Sequence, residues 1–132
     1  MSNGQANMDF RAAALTAGRY DLMVEEYAYP LTVYLPKCAP ISATPQTVWG
    51  FFQSFHSALV ATGLTVLTAR VVAEGLPQGG RVQIWTDWFG EGADTARRQV
   101  AQTICYRRVN GAGCLTEMLE FTRLDLPIMA PA

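Results

Sequence analysis

The chain is poor in the residues that ordinarily carry metal, nucleic-acid or membrane functions. Its 132 residues include one histidine and three cysteines. Cys38, Cys105 and Cys114 cannot all pair, and none stands in a Cys-x-x-Cys arrangement, so neither a disulfide framework nor a metal site is expected. Unpaired thiols suit a reducing, cytoplasmic setting. Charged residues make up 16% of the chain, and the formal net charge is −1. A phosphate backbone calls for a basic surface, so a nucleic-acid partner is not expected. The two basic doublets, Arg97-Arg98 and Arg107-Arg108, read as solvated strand ends. No run approaches the ~18 apolar residues of a membrane span. The first residues lack the basic start and apolar centre of a signal peptide.

Apolar and aromatic side chains are abundant instead, with 50% of residues hydrophobic. Part of that excess is expected to line a pocket or a subunit contact. The chain is organised around Thr44 to Gly63, which reads as one long helix. Thr44 suits the N-cap, Pro45 the first helical position and Gly63 the position past the end. Val48, Phe51, Phe52, Phe55 and Leu59 recur at three- and four-residue steps, the mark of a buried stripe.

Upstream, residues 1–8 are small and polar and are expected to be disordered. Asp9 can cap a short helix that Gly18 ends, and a second short helix is expected over Arg19 to Tyr27, stopped by Pro30. Leu31 to Leu35 reads as a strand closed by Pro36. Downstream, Leu64–Glu74, Arg81–Phe89, Arg97–Val109 and Cys114–Leu124 read as long antiparallel strands. Gly90 to Asp94 reads as a polar loop, and Asn110-Gly111 as a tight hairpin turn. The expected fold is α+β: a curved antiparallel sheet around two short helices and one long one, enclosing a pocket. A single domain over 9–126 with a tail at 127–132 accounts for the length.

Several side chains are candidates for chemistry. His56 lies beside the buried stripe of the long helix and is the one imidazole available for acid–base work. Glu117 and Glu120, three apart on a strand, point to opposite faces and cannot form a catalytic pair. Glu117 shares its face with Leu115, Leu119 and Phe121, and Asp87 lies between Trp85 and Trp88; either is a second acid candidate. Tyr27, Trp49, Phe52, His56, Trp85 and Tyr106 are the candidate ligand contacts.

Three stretches carry a family likeness: Ala17-Gly18-Arg19-Tyr20-Asp21, Glu26-Tyr27-Ala28, and the closing hairpin from Arg107 to Glu120. With the order of elements, they resemble the nuclear transport factor 2-like superfamily, the cone-shaped α+β fold shared with ketosteroid isomerases and polyketide cyclases. The resemblance runs from about residue 9 to residue 124. It implies an apolar pocket in the mouth of a cone and a homodimer across the sheet. It also implies no ketosteroid isomerisation. Isomerases of that family place a carboxylate base before the proline closing strand one, where this chain has Leu35. They place a tyrosine in the first helix, in a register that falls near Arg11. Their protonated acid lies on the penultimate strand, and Arg97–Val109 contains no Asp or Glu. The expected function is binding of a small apolar molecule, with no cofactor. A dimeric scaffold and an isomerase-, cyclase- or dehydratase-like enzyme using His56 are the alternatives.

Overall fold

The long helix forms as its sequence demands. The computed structural model describes residues 3–108 and 115–128 of the chain. In it, the Thr44 hydroxyl accepts the Thr47 N–H at 3.2 Å, Pro45 occupies the first turn, and α3 runs Pro45–Ala61. At its end Gly63 takes φ +81°, Gly63 N–H bonds to Val60 O, and Leu64 N–H bonds back to Leu59 O at 2.9 Å. This six-to-one closure needs a left-handed residue, which only glycine adopts without strain. Leu59 and Leu64, the positions whose apolar contact commonly accompanies such a closure, are both buried.

The first helix, α1 (Asn3–Thr16), ends by the same device: Gly18 at φ +70° lets Arg19 N–H reach Ala14 O at 2.8 Å. It starts within the stretch expected to be disordered. Met8 is fully buried, one turn before Ala12 and two before Leu15, so these residues extend an apolar stripe rather than a tail. The second helix, α2 (Tyr20–Val24), is shorter than its composition suggested. Pairing with a strand takes over at Tyr27, whose neighbour Glu26 accepts the N–H of Thr116 at 3.0 Å. The strand β1 (Tyr27–Tyr34) then contains Pro30 at an exposed position, where the missing N–H costs little.

Five further strands follow: β2 (Ile41–Ala43), β3 (Val66–Glu74), β4 (Arg81–Gly92), β5 (Thr95–Arg108) and β6 (Thr116–Leu124). They form one six-stranded sheet in the order β2-β1-β6-β5-β4-β3. All neighbours are antiparallel except β1 and β6, which are parallel, so the sheet is mixed rather than antiparallel throughout. A parallel pair is open to these two strands because a long connection, α3 and four strands, separates them in sequence. Four of the five strand pairs contain register slips, and such bulges bend a strand and increase its twist. The curved sheet wraps the helices.

Most of the expected polar loop at Gly90 to Asp94 is strand, with a tight turn at Ala93-Asp94. Gly92 allows it: a Cβ there would lie 1.9 Å from the Gly63 carbonyl oxygen. The Asn110-Gly111 turn and Cys114 lie outside the described residues. No helix among the described residues is long and apolar enough to cross a membrane.

Candidate functional site

Arg11 is the side chain that sets this interior apart. On α1 it occupies the same stripe as Met8, Ala12 and Leu15, so helical spacing drives a guanidinium into the core, where it is 1% exposed. Beside it is an internal cavity of about 20 Å³, walled by Leu15, Met23, Phe52, Phe55, Trp88 and Phe121. The polar groups at its wall are Arg11, Tyr27, Thr103 and Cys105. The cavity as it stands holds one water-sized guest. A second apolar cavity of about 10 Å³ lies beneath β1, β2 and α3 and shares Phe52 and Leu119 with the first.

The guanidinium is held on three sides. Its Nη2 donates to Thr116 Oγ1 at 2.6 Å, and Nη1 lies 3.4 Å from Tyr27 OH and 3.5 Å from Cys105 Sγ. Its Nε reaches Glu26 Oε1 at 3.4 Å, a single long contact rather than a bidentate fork. The Glu26 side chain is 22% exposed and also accepts the Asn7 side-chain amide at 2.7 Å. The Tyr27 ring lies 5.0 Å from the guanidinium carbon and adds a cation–π contact. Burial opposes the Arg11 charge, but Tyr27, Cys105 and Glu26 outweigh it and the pKa is raised. For Tyr27 burial dominates over the pull of Arg11, and its pKa is pushed up. Tyr27 is therefore a neutral hydrogen-bonding phenol and an unfavourable base.

The same architecture recurs in solved structures. The chain superposes with a TM-score of 0.68 on a protein from Thiobacillus denitrificans provisionally assigned as a calcium/calmodulin-dependent protein kinase type II association domain, at 22% identity over 91% of this chain and 92% of that one. A nuclear transport factor 2-like protein of unknown function from Shewanella oneidensis matches with a TM-score of 0.66, at 9% identity over 92% and 98% of the two chains. The fold is nuclear transport factor 2-like. A cystatin-like-fold domain of unknown function from Nostoc punctiforme also matches at a TM-score of 0.66, with 11% identity over 93% of this chain and 79% of that one. No protein-family model and no curated protein matches the sequence.

Within this nuclear transport factor 2-like cone, two of the expected ligand contacts meet at the cavity: Tyr27 and Phe52, stacked at 6.0 Å between ring centroids. The others lie elsewhere. His56 Nδ1 lies 2.6 Å from Tyr20 OH, and the Tyr20 ring also packs edge-on against Trp49. This trio joins α2 to α3, and none of its members lines the cavity. Trp85 and Tyr106 lie on the other sheet face, where Tyr106 donates to Glu120 at 3.3 Å. Trp88 lines the cavity instead, and its indole N–H donates to Thr103 at 2.8 Å.

The acid candidates are each engaged locally. Asp87 accepts the amides of Gln99 and Gln102 at 3.0 and 2.8 Å. Glu117 pairs with Arg81 at 2.8 Å and with Arg108. It is the extra residue where the β5–β6 register slips, so the alternation that grouped it with Leu119 and Phe121 is broken there. His56, Asp87 and Glu117 do not converge. Among the described residues no three His, Cys, Asp or Glu side chains gather as metal ligands.

Sequence reasoning placed Arg11 in the register of a family oxyanion donor but did not place it among the site residues. The signal was present: one arginine interrupts the apolar series Met8, Ala12, Leu15.

Proposed function

We propose that this chain binds a small, mainly apolar molecule carrying one anionic group, with Arg11 as that group's partner, and that it does so without acid–base chemistry. The observation that supports this reading is a permanently charged, almost fully buried guanidinium whose one carboxylate neighbour among the described residues makes a single 3.4 Å contact from the edge of solvent. Burying such a charge is costly unless a good partner compensates it. A ligand carboxylate that takes the second Nη2 proton and replaces the 3.5 Å Nη1 contact to Cys105 supplies the compensation that Glu26 gives only in part. Room for the apolar body has to be made. Met23 is unbranched and flexible, and turning Phe52 would join the two cavities it separates. Among the described residues no unengaged base stands at the cavity wall, which favours binding over catalysis.

A thermal-shift screen of hydrophobic monocarboxylates tests the reading. Stabilisation that is lost in Arg11→Met supports it. A screen in which no carboxylate raises the melting temperature above that given by matched neutral compounds contradicts it.

A second reading coexists with the first: a homodimer through the outer sheet face. Gln83, Tyr106 and Met118 lie side by side on three adjacent strands there, next to the Trp85–Ile104 pair. All of these side chains are only partly buried within one chain. Apolar groups of this kind commonly mark a contact surface. Light scattering that gives a monomer mass at micromolar concentration would contradict it.

A further inference from the structure

We propose that the outer edge of β3 is a strand-pairing surface that α1 keeps occupied, so that the sheet cannot extend through it into a second copy of this chain. The two sheet edges differ. β2 spans 3 residues, whereas β3 spans 9 and exposes Val66 and Val72. A long apolar edge is a template for another strand unless something covers it.

Here the cover is built from two polar side chains of α1. The Gln5 side-chain amide donates to Ala69 O at 3.0 Å and accepts the Val71 N–H at 2.8 Å. Those are the two bonds that one residue of a parallel neighbouring strand would make astride Arg70. Gln5 gives its second amide proton to Asp9 Oδ1 at 2.7 Å. Three turns along, the Thr16 hydroxyl accepts the Leu67 N–H at 3.0 Å and gives its own proton to Ala12 O at 2.9 Å.

The spacing matches the task. Eleven helical steps advance about 16 Å and return to the same helix face. The four strand steps from Leu67 to Val71 cover about 13 Å. Between the two anchors, Met8, Ala12 and Leu15 are buried and hold the helix down.

The occupant kept out is a second β3. An antiparallel copy centred on Ala69 would pair the outward backbone groups of Leu67, Ala69 and Val71 and would set the exposed Val66 across from the exposed Val72 twice, an apolar self-pairing. It would require the Ala69 and Val71 backbone groups that Gln5 holds. This device is independent of the cavity and of Arg11.

The test compares the parent with the Gln5→Ala/Thr16→Val double variant by amide hydrogen exchange and by light scattering over a concentration series. The amides of Leu67 and Val71 are expected to exchange about tenfold faster or more at low concentration, while those in the centre of the sheet keep their protection. The mass of the variant is expected to grow with concentration beyond that of the parent. Unchanged exchange at both amides, or a mass equal to the parent's throughout, overturns the proposal. Should the double variant not fold, Gln5→Glu alone keeps an acceptor for Val71 but has no proton for Ala69. Its mass is read in the same way, with growth expected and the parent's value overturning the proposal. The parent supplies one further check: exchange at Leu67 and Val71 as fast as at fully exposed amides would also overturn it.

Discussion

Arg11 and Thr116, 105 residues apart in sequence, are joined by a 2.6 Å hydrogen bond that ties the first helix to the last strand. The bond is part of a buried polar cluster, and such clusters respond asymmetrically to substitution. Removing the side chain in Arg11→Ala leaves a cavity and strands the Thr116 and Tyr27 hydroxyls, at an expected cost of about 3–5 kcal/mol. Arg11→Met strands the same hydroxyls but refills the space with apolar volume, and is expected to lose about 1–2 kcal/mol less than Arg11→Ala. Urea unfolding of the two variants measures the difference. Equal losses would mean that the charge itself holds the fold together.

The Tyr20–His56 hydrogen bond joins α2 to α3 away from the cavity. Tyr20→Phe should cost about 0.5–1.5 kcal/mol, the usual worth of one such bond. It should leave the response to carboxylates unchanged. A chemical denaturation curve and a thermal-shift titration on the same preparation check both parts.

Two glycines should respond in opposite directions to alanine. Gly50 lies inside α3, and a methyl group there would have nothing within 4 Å, so Gly50→Ala is expected to stabilise by about 0.5–1 kcal/mol. A Cβ at Gly92 would meet the Gly63 carbonyl oxygen at 1.9 Å. Gly92→Ala must move one backbone away from the other, with an expected loss above about 3 kcal/mol. Melting temperatures of the pair decide it.

Buried Tyr27 and half-buried Tyr29 set an alkaline limit on stability. Burial pushes Tyr29 up to about 12 from its ordinary 10.0, and Tyr27 is raised as well. An unfolded chain ionises these phenols first, so it binds fewer protons than the folded chain between pH 10 and pH 12. The stabilisation is fully present below pH 10 and is lost as pH rises through that window. Denaturation midpoints measured across it should fall steadily. Tyr29→Phe should flatten part of the slope, and an unchanged slope would count against the assignment.

Much of the architecture was legible because it is locally encoded. Thr44, Pro45 and Gly63 bound α3 as their chemistry requires, and the stripe from Val48 to Leu59 is buried. The readings that failed concerned competition between levels. Glu26 and Tyr27 have helical neighbours, yet strand pairing with Thr116 claims them. Residues 3–8 look like a polar tail because their role, covering the edge of β3 and burying Met8, depends on a strand some 60 residues away. The site was harder to read than the fold. Trp85 and Trp88 are three apart on a strand, so only one could face the cavity, and parity could not say which. Arg11 went unread because an arginine on an amphipathic helix is ordinarily solvated, and its burial follows from Thr116 and Glu26 arriving from distant segments.

The most direct test of the Arg11-anchored reading is a calorimetric titration of one hydrophobic monocarboxylate, and of its neutral primary amide, into the parent and Arg11→Met. A charge-assisted contact in a dry site is worth about 1.5–3 kcal/mol. The acid should therefore bind the parent tenfold or more tighter than the amide does, and Arg11→Met should erase that preference. Equal affinities for acid and amide in the parent, or a preference that survives in Arg11→Met, would contradict the account.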